Sequence, residues 1–515
     1  MAARKKNIAR NYAVDSGLKG LTVLKIEISE TKERAGAWIA VFDDSGAEVD
    51  LGRFPVLKEV CAAACRKDFN PAKAGVKTFT VLMDGELTPC ILVSVAGWKE
   101  QGGSRKVFLT LAEAFRACRT AGASDVAVLL DGAPSLKVPE IFVKIAGLPQ
   151  LVNYRYDAYK KDNSPRFEKV SFIGCGELAA CLDEARVDAE GTLLARDLTN
   201  MPMAALSPAK LADCAKTVAT ELADAGLAVT CEIAGADEIQ RLSMGCFWGV
   251  AKGGAHCFPP RLITLRYCGG GDAPVIALVG KGICYDSGGY SLKNSMITMF
   301  DDMGGAAAVL GAFRAAALEK LPLNVTAVIA ACVNLVSQQS YVPGDVLTSM
   351  SGRTVEILST DAEGRLTLAD AMTYALRKEN AQSIVEISTL TGSAANAVGK
   401  RCAAYFADDE AMAADLEKAS RRACEKVWRL PCDEELRSAV DSHVADLRNS
   451  VPGSPMGGGA ILAALFLREF AEKKPWLHID MAPTAYVKEN QPWCDKGATG
   501  YGSSLLYHLL KVLSE

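Results

Sequence analysis

Short apolar runs alternating with longer helical stretches constrain this 515-residue chain more than any other feature. Past residue 200, Ala228–Ile233, Arg261–Tyr267, Val275–Val279, Asn324–Ala331 and Ser383–Ser388 read as strands. Pro208–Ala225, Gly304–Leu318 and a stretch from about Leu366 to Arg377 read as helices. Apolar strands separated by helices belong to a mainly parallel sheet flanked by helices on both faces. Ligands of such sheets sit beyond the carboxyl ends of the strands.

The first 175 residues show a similar alternation. Strands are expected at Thr22–Ile28, Ala37–Phe42, Thr78–Met83, Ile91–Val95, Asp125–Leu130 and Val170–Cys175, with helices at Val56–Phe69, Thr110–Thr120 and Pro139–Tyr159. A helical run without internal proline follows from Glu177 to about Leu198, and Asn200-Met201-Pro202 breaks it. The expected architecture is therefore α/β in two domains. An N-terminal α/β domain covers 1–175, a linker helix 176–200, and a larger domain with a mainly parallel sheet 201–515.

Composition removes several function classes. Lys and Arg number 57 against 61 Asp and Glu, so no global charge favours nucleic acid or an anionic membrane. The purest apolar runs, Val275–Val279 and Ala460–Leu467, fall far short of the roughly 20 residues of a membrane span. The basic start, MAARKKNIARNYAV, lacks the apolar segment of a secretory signal, leaving a short targeting signal as the alternative. The 17 cysteines contain no Cys-x-x-Cys and read as small buried hydrophobes in a reducing compartment. The four histidines are too scattered for a His-x-x-x-His zinc helix, so a metal site here must be built mainly from carboxylates.

Four stretches supply them. In Val279-Gly280-Lys281-Gly282-Ile283-Cys284-Tyr285-Asp286, a strand is expected to end at Val279, with Lys281 and Asp286 in a glycine-rich loop; the bland alternative is a solvated charge pair. Lys293 follows. Asp301-Asp302 stand at the start of an Ala-rich helix, where capping is the commoner use of Asp. Asp361 and Glu363 lie two apart, so an extended segment would point both to one side, with Arg365 continuing the alternation; the alternative is again a capping loop. Asp286, Asp302, Asp361 and Glu363 at one sheet edge would call for about two divalent cations, a known hydrolytic device. A lysine beside them can ligate only as the neutral amine.

VGKGICYDSGGYSLK, DMGGAAAV and STDAEGRLTLADAM resemble the signatures of the M17 leucyl aminopeptidase (cytosol aminopeptidase) family. Similarity continues through ARDLTNMP, PPRLITLRY, ISTLTGS, WRLP, ADLRN, HIDMAPTA and KGATGYG, over about residues 195–510. The resemblance implies a metal-dependent aminopeptidase that releases leucine-like N-terminal residues from peptides in the cytoplasm, as a homohexamer. It implies a tight metal on Lys281, Asp286, Asp302 and Glu363 and an exchangeable one on Asp286, Asp361 and Glu363. Zn or Mn is expected, with Mg or Co as alternatives at the exchangeable site. A bridging water would attack the peptide carbonyl, Lys293 would stabilise the oxyanion, and Arg365 would hold a bicarbonate acting as general base. Met299, Ser359, Thr389, Leu390, Gly392 and Ala482 would line the substrate pocket. Ser359 and Cys284-Tyr285 depart from the family's usual Asn and Thr-Phe, which bears on specificity. The rivals are a dinuclear phosphoesterase, for which four histidines are few, and a DNA-binding role, which the acidic pI of about 5.8 opposes.

Overall fold

The computed structural model describes residues 24–30, 32, 34–43, 69–70, 73–83, 85–99, 103–160, 164–453 and 457–515. The helix expected at Val56–Phe69 lies outside these residues except for Phe69. The chain forms two compact units. One comprises residues 1–190, 421–424 and 488–496, and the other comprises 191–420, 425–487 and 497–515. The Cys181–Asn200 helix passes from the first into the second.

The first unit holds a six-stranded sheet from β1 (Lys25–Ser29), β2 (Ala37–Phe42), β3 (Gly75–Met83), β4 (Glu86–Ser94), β5 (Asp125–Leu129) and β6 (Lys169–Ile173), in the order β1-β6-β5-β2-β4-β3. All pairings are parallel except the β3–β4 hairpin. Strand β2, AWIAVF, is buried on both faces, which explains its unbroken apolar run. The Pro139–Asn153 helix stops short of Tyr159: Tyr154 is extended, and the Asn153 side chain bonds both backbone groups of Phe167.

The second unit is built on an eight-stranded sheet. Its strands are β7 (Val229–Ala234), β8 (Arg261–Cys268), β9 (Val275–Asp286), β10 (Asn324–Asn334), β13 (Ser383–Ser388), β14 (Ala403–Ala407), β15 (Val427–Arg429) and β17 (Trp476–Asp480). Three short strands, β11 (Val346–Thr348), β12 (Thr354–Glu356) and β16 (Leu447–Arg448), form a separate sheet. The main order is β15-β14-β17-β13-β9-β10-β8-β7. Its centre, β17-β13-β9-β10, is entirely parallel, whereas β7, β8 and β14 join antiparallel. Asp286, Asn334, Ser388 and Asp480 therefore end four neighbouring strands on one edge.

Strand β9 does not stop at Val279 but continues to Asp286, so Lys281 lies within a strand. The glycines read as a loop signal serve packing instead. A Cβ on Gly280 would lie 2.8 Å from Ala306 Cα, in the buried Gly304–Leu318 helix. On the alternate face of β9, Ala277 and Val279 join Val328 and Ala330 of β10 in one core with Leu366, Leu368 and Met372 of the Gly364–Arg377 helix. Each large apolar side chain buried there contributes roughly 1.5–3 kcal/mol. No described helix is long and apolar enough to cross a membrane.

Candidate metal centre

The carboxylates meet beyond that edge. Asp286, Asp361 and Glu363 each offer an oxygen, all within 4.8 Å of one another. Asp302 joins them through Lys281, whose Nζ lies 2.8 Å from Asp302 Oδ1 and 2.9 Å from Glu363 Oε1. That ammonium also donates to the Thr389 carbonyl at 3.1 Å. Lys293 Nζ lies 2.7 Å from Asp286 Oδ2 and contacts Asp361. Lys281 is only 3% exposed and Asp286 1%, so they are not a solvated surface pair.

The capping alternatives also fail. The Gly304–Leu318 helix begins after Met303 with no side-chain cap, leaving Asp302 to Lys281 and the Thr389 hydroxyl. Glu363 has helical backbone angles at the start of the Gly364–Arg377 helix and caps nothing. Asp361 and Glu363 thus converge through a turn, not through the extended segment expected from their spacing. Arg365 sits in the first helical turn and donates to the Asn449 carbonyl at 2.8 Å, while its buried Nε has no partner.

Four residues to which the sequence assigns no role hold this arrangement: Asn334, and three inside the family-like motifs, Thr360, Asn449 and Asp480. Asn334 donates from Nδ2 to Asp286 Oδ1 at 2.8 Å and to the Thr360 carbonyl at 2.9 Å. Thr360 donates to the Gly288 carbonyl and accepts from Ser291 N, tying the 288–291 and 359–361 turns together. Gly288 needs its φ of +86°, and a Cβ there would meet Ser291 O at 2.5 Å. Asn449, beside β12 through the β12–β16 pairing, accepts from Leu358 N and Ser359 N and donates to the Ser359 carbonyl. Asp480 does similar work for residues 390–391 and Ala482. Apart from Asp480 and Ala482, these partners lie 26 to 91 residues apart, beyond any local pattern.

The expected pocket residues fall around the same edge. Met299 opens a short turn ending at Asp301, and Thr389 touches both Lys281 and Asp302. Leu390 and Gly392 follow Thr389, Ala482 follows β17, and Ser359 accepts from Asp361 N.

Electrostatics favour a bound cation. Four carboxyls face two lysines, a surplus of two negative charges if all ionise. Burial raises the Asp286 carboxyl, and Glu363 adds to that against the pull of Lys293 and Lys281. Burial likewise holds Asp302 well above the usual carboxylate range. Glu363 goes the other way, because Lys281 and Lys293 outweigh its burial. Burial alone would lower Lys281; Asp302, Glu363 and Asp286 more than reverse it. Asp302 Oδ2 and Glu363 Oε2 are buried with no hydrogen-bond partner. Unpaired buried carboxylate oxygens are costly unless a cation or water meets them, so the donor set fits hard divalent ions.

A parallel-centred α/β sheet with a largely buried carboxylate cluster beyond its strand ends has the form of a metal-binding α/β enzyme. Its residues 193–507 match the model of the cytosol aminopeptidase family, catalytic domain. The chain belongs to that family, and it is a metal-dependent aminopeptidase. It is 42% identical over 374 residues to a probable cytosol aminopeptidase of Clostridium perfringens, spanning 70% of this chain and 73% of that one. A probable cytosol aminopeptidase of Alkaliphilus metalliredigens is 38% identical over 442 residues, 83% of this chain and 85% of that one. Among solved structures, a mutant of tomato leucine aminopeptidase is 29% identical with a TM-score of 0.83, covering 96% of this chain and 97% of its own. The bottromycin maturation enzyme BotP in complex with Mn is 30% identical with a TM-score of 0.78, covering 94% and 100%.

Proposed function

We propose that this aminopeptidase holds two divalent ions, Zn or Mn, and removes leucine-like N-terminal residues from peptides. Lys281, Asp286, Asp302 and Glu363 would hold the tight ion, and Asp286, Asp361 and Glu363 the exchangeable one, where Mg or Co could substitute. The observation that carries this reading is the pair of buried, unpartnered oxygens on Asp302 and Glu363 within a cluster of four carboxyls. Bound ions would supply Lewis acidity and a water nucleophilic at neutral pH.

The chain's own groups do the rest. Lys293, 20% exposed, is the more accessible of the two lysines and would stabilise negative charge on the substrate carbonyl oxygen. Arg365 has a free Nε and would hold a bicarbonate ion as general base, which removes the need for a histidine. Met299, Ser359, Thr389, Leu390, Gly392 and Ala482 would receive the first side chain. A homohexamer in the cytoplasm follows from family resemblance, and the names of the relatives agree with that compartment.

The test is a panel of amino-acid amides and a phosphate monoester, assayed with metal content measured on the same sample. Hydrolysis of leucine amide with two ions per chain supports the proposal. Phosphate-ester hydrolysis without amide hydrolysis refutes it.

A further inference from the structure

The pocket expected for the first side chain has two walls from different parts of the chain. One is the Thr389–Gly392 segment after β13, and the other is Ala482 after β17. A single buried side chain binds both. Asp480 Oδ1 accepts from Leu390 N at 3.2 Å, Thr391 N at 3.3 Å and Ala482 N at 3.2 Å. Its Oδ2 accepts from the Thr391 hydroxyl at 2.6 Å. Asp480 is 0% exposed, so water does not replace these bonds.

The segment it fixes also touches the acidic cluster. Thr389, one residue before Leu390, accepts from Lys281 through its carbonyl and donates to Asp302 through its hydroxyl. Thr391, while donating to Asp480, caps the Gly392–Val398 helix by accepting from Ala394 N at 3.1 Å. A local turn role would explain only the Ala482 bond. The bonds to residues 390 and 391 bridge about 90 positions of sequence.

We infer that Asp480 is the positioning residue of the first-side-chain pocket: it locks the two walls at one separation and so sets selectivity. The inference rests on the aminopeptidase reading above and names the residue that tunes it. The bond from the Thr391 hydroxyl is the short one, the three backbone N–H bonds add to it, and their joint loss lets the 389–392 segment drift from Ala482. An apolar pocket discriminates by contact, so a drifting wall loses affinity for a large side chain and little for a small one.

The experiment compares holoenzyme wild type, Asp480→Asn and Thr391→Val on leucine amide and alanine amide. Metal content and thermal unfolding are recorded alongside. Asp480→Asn is expected to keep its metal and to lower the leucine-to-alanine ratio of kcat/KM about tenfold, chiefly through the KM for leucine amide. Thr391→Val should shift the ratio the same way, and Thr391→Ser should restore it. Equal loss on both amides, with an unchanged ratio, overturns the inference and makes Asp480 merely structural. If Asp480→Asn does not fold, the Thr391→Val and Thr391→Ser pair decides by the same ratio. Wild-type enzyme that cleaves neither amide overturns the aminopeptidase reading itself, a result distinct from an unchanged ratio.

Discussion

Gly364 offers a way to move Lys281 without touching a charged residue. A Cβ at position 364 would lie 2.4 Å from Lys281 Cε, 2.8 Å from its Nζ and 3.0 Å from its Cδ. Ordinary contact begins at 3.4 Å, so the Lys281 chain end must retreat by about 1 Å. It has little room, since it is buried and held by Asp302 at 2.8 Å, Glu363 at 2.9 Å and the Thr389 carbonyl at 3.1 Å. A displacement of that size breaks at least one of these contacts. Misplacement of about 1 Å near reacting groups costs on the order of 10²-fold in rate, or about 2.7 kcal/mol of barrier. Stability should change less: overpacking costs about 1–3 kcal/mol, and replacing a helical glycine by alanine returns up to about 1 kcal/mol. Gly364→Ala is therefore expected to fold, to lose affinity at the tight metal position and to drop about 100-fold in kcat/KM. Thermal unfolding, mass-spectrometric metal content and amide hydrolysis on one preparation check it. Wild-type turnover and metal content in a folded Gly364→Ala would refute the assignment of Lys281 to the centre.

Arg365→Ala should retain both ions but lose about 10²–10³-fold in kcat, the usual loss on deleting one transition-state contact; loss of metal would give Arg365 the wrong role. His478 is buried between the rings of Phe406 and Trp476 and bonds Glu386 on the neighbouring strand. His478→Phe keeps the ring but strands Glu386, and should destabilise by about 3–5 kcal/mol in urea unfolding, most of it returned by adding Glu386→Leu. A loss below about 1 kcal/mol would show the pair to be dispensable. Partial burial alone would raise the Glu27 carboxyl, but hydrogen bonds from Lys169, Lys25 and Ser171 hold it at about 2. A depressed carboxylate contributes stability above its unfolded value of about 4.3 that fades as pH falls toward 2, so Glu27→Gln should flatten the unfolding profile in that window. An unchanged acid limb would refute that pairing.

Local patterns reveal the elements whose environment is uniform. Ala37–Phe42, Gly304–Leu318 and Ser383–Ser388 have the expected ends because they are buried on all sides or capped by clear breakers. Glycine misleads where it serves close packing, as at Gly280, where the strand continues because a helix backbone lies over it. The acidic residues could be named from their motifs, but the shape of their meeting could not. Asp361 and Glu363 converge through a turn stabilised by Asn334, which lies outside every motif, and by Thr360 and Asn449, which bond partners 72 and 90 residues away. The mixed edges of the second sheet and the elements after residue 390 likewise depend on long-range pairing, as in the β14–β17 and β12–β16 ladders.

Assignment of the ions to the carboxylates and Lys281 makes loss of metal and loss of peptide hydrolysis inseparable. Its most direct test is metal stoichiometry by mass spectrometry, paired with leucine amide hydrolysis, for wild type, Asp286→Ala, Glu363→Ala and Lys281→Arg at pH 8. Two ions per chain are expected in wild type, with chelation abolishing hydrolysis and added Zn or Mn restoring it. The two carboxylate variants should lose both ions and activity. Lys281→Arg should lose the tight ion, because a guanidinium stays protonated and cannot ligate. Full hydrolysis by metal-free protein, or full tight-site occupancy in Lys281→Arg, would contradict that assignment.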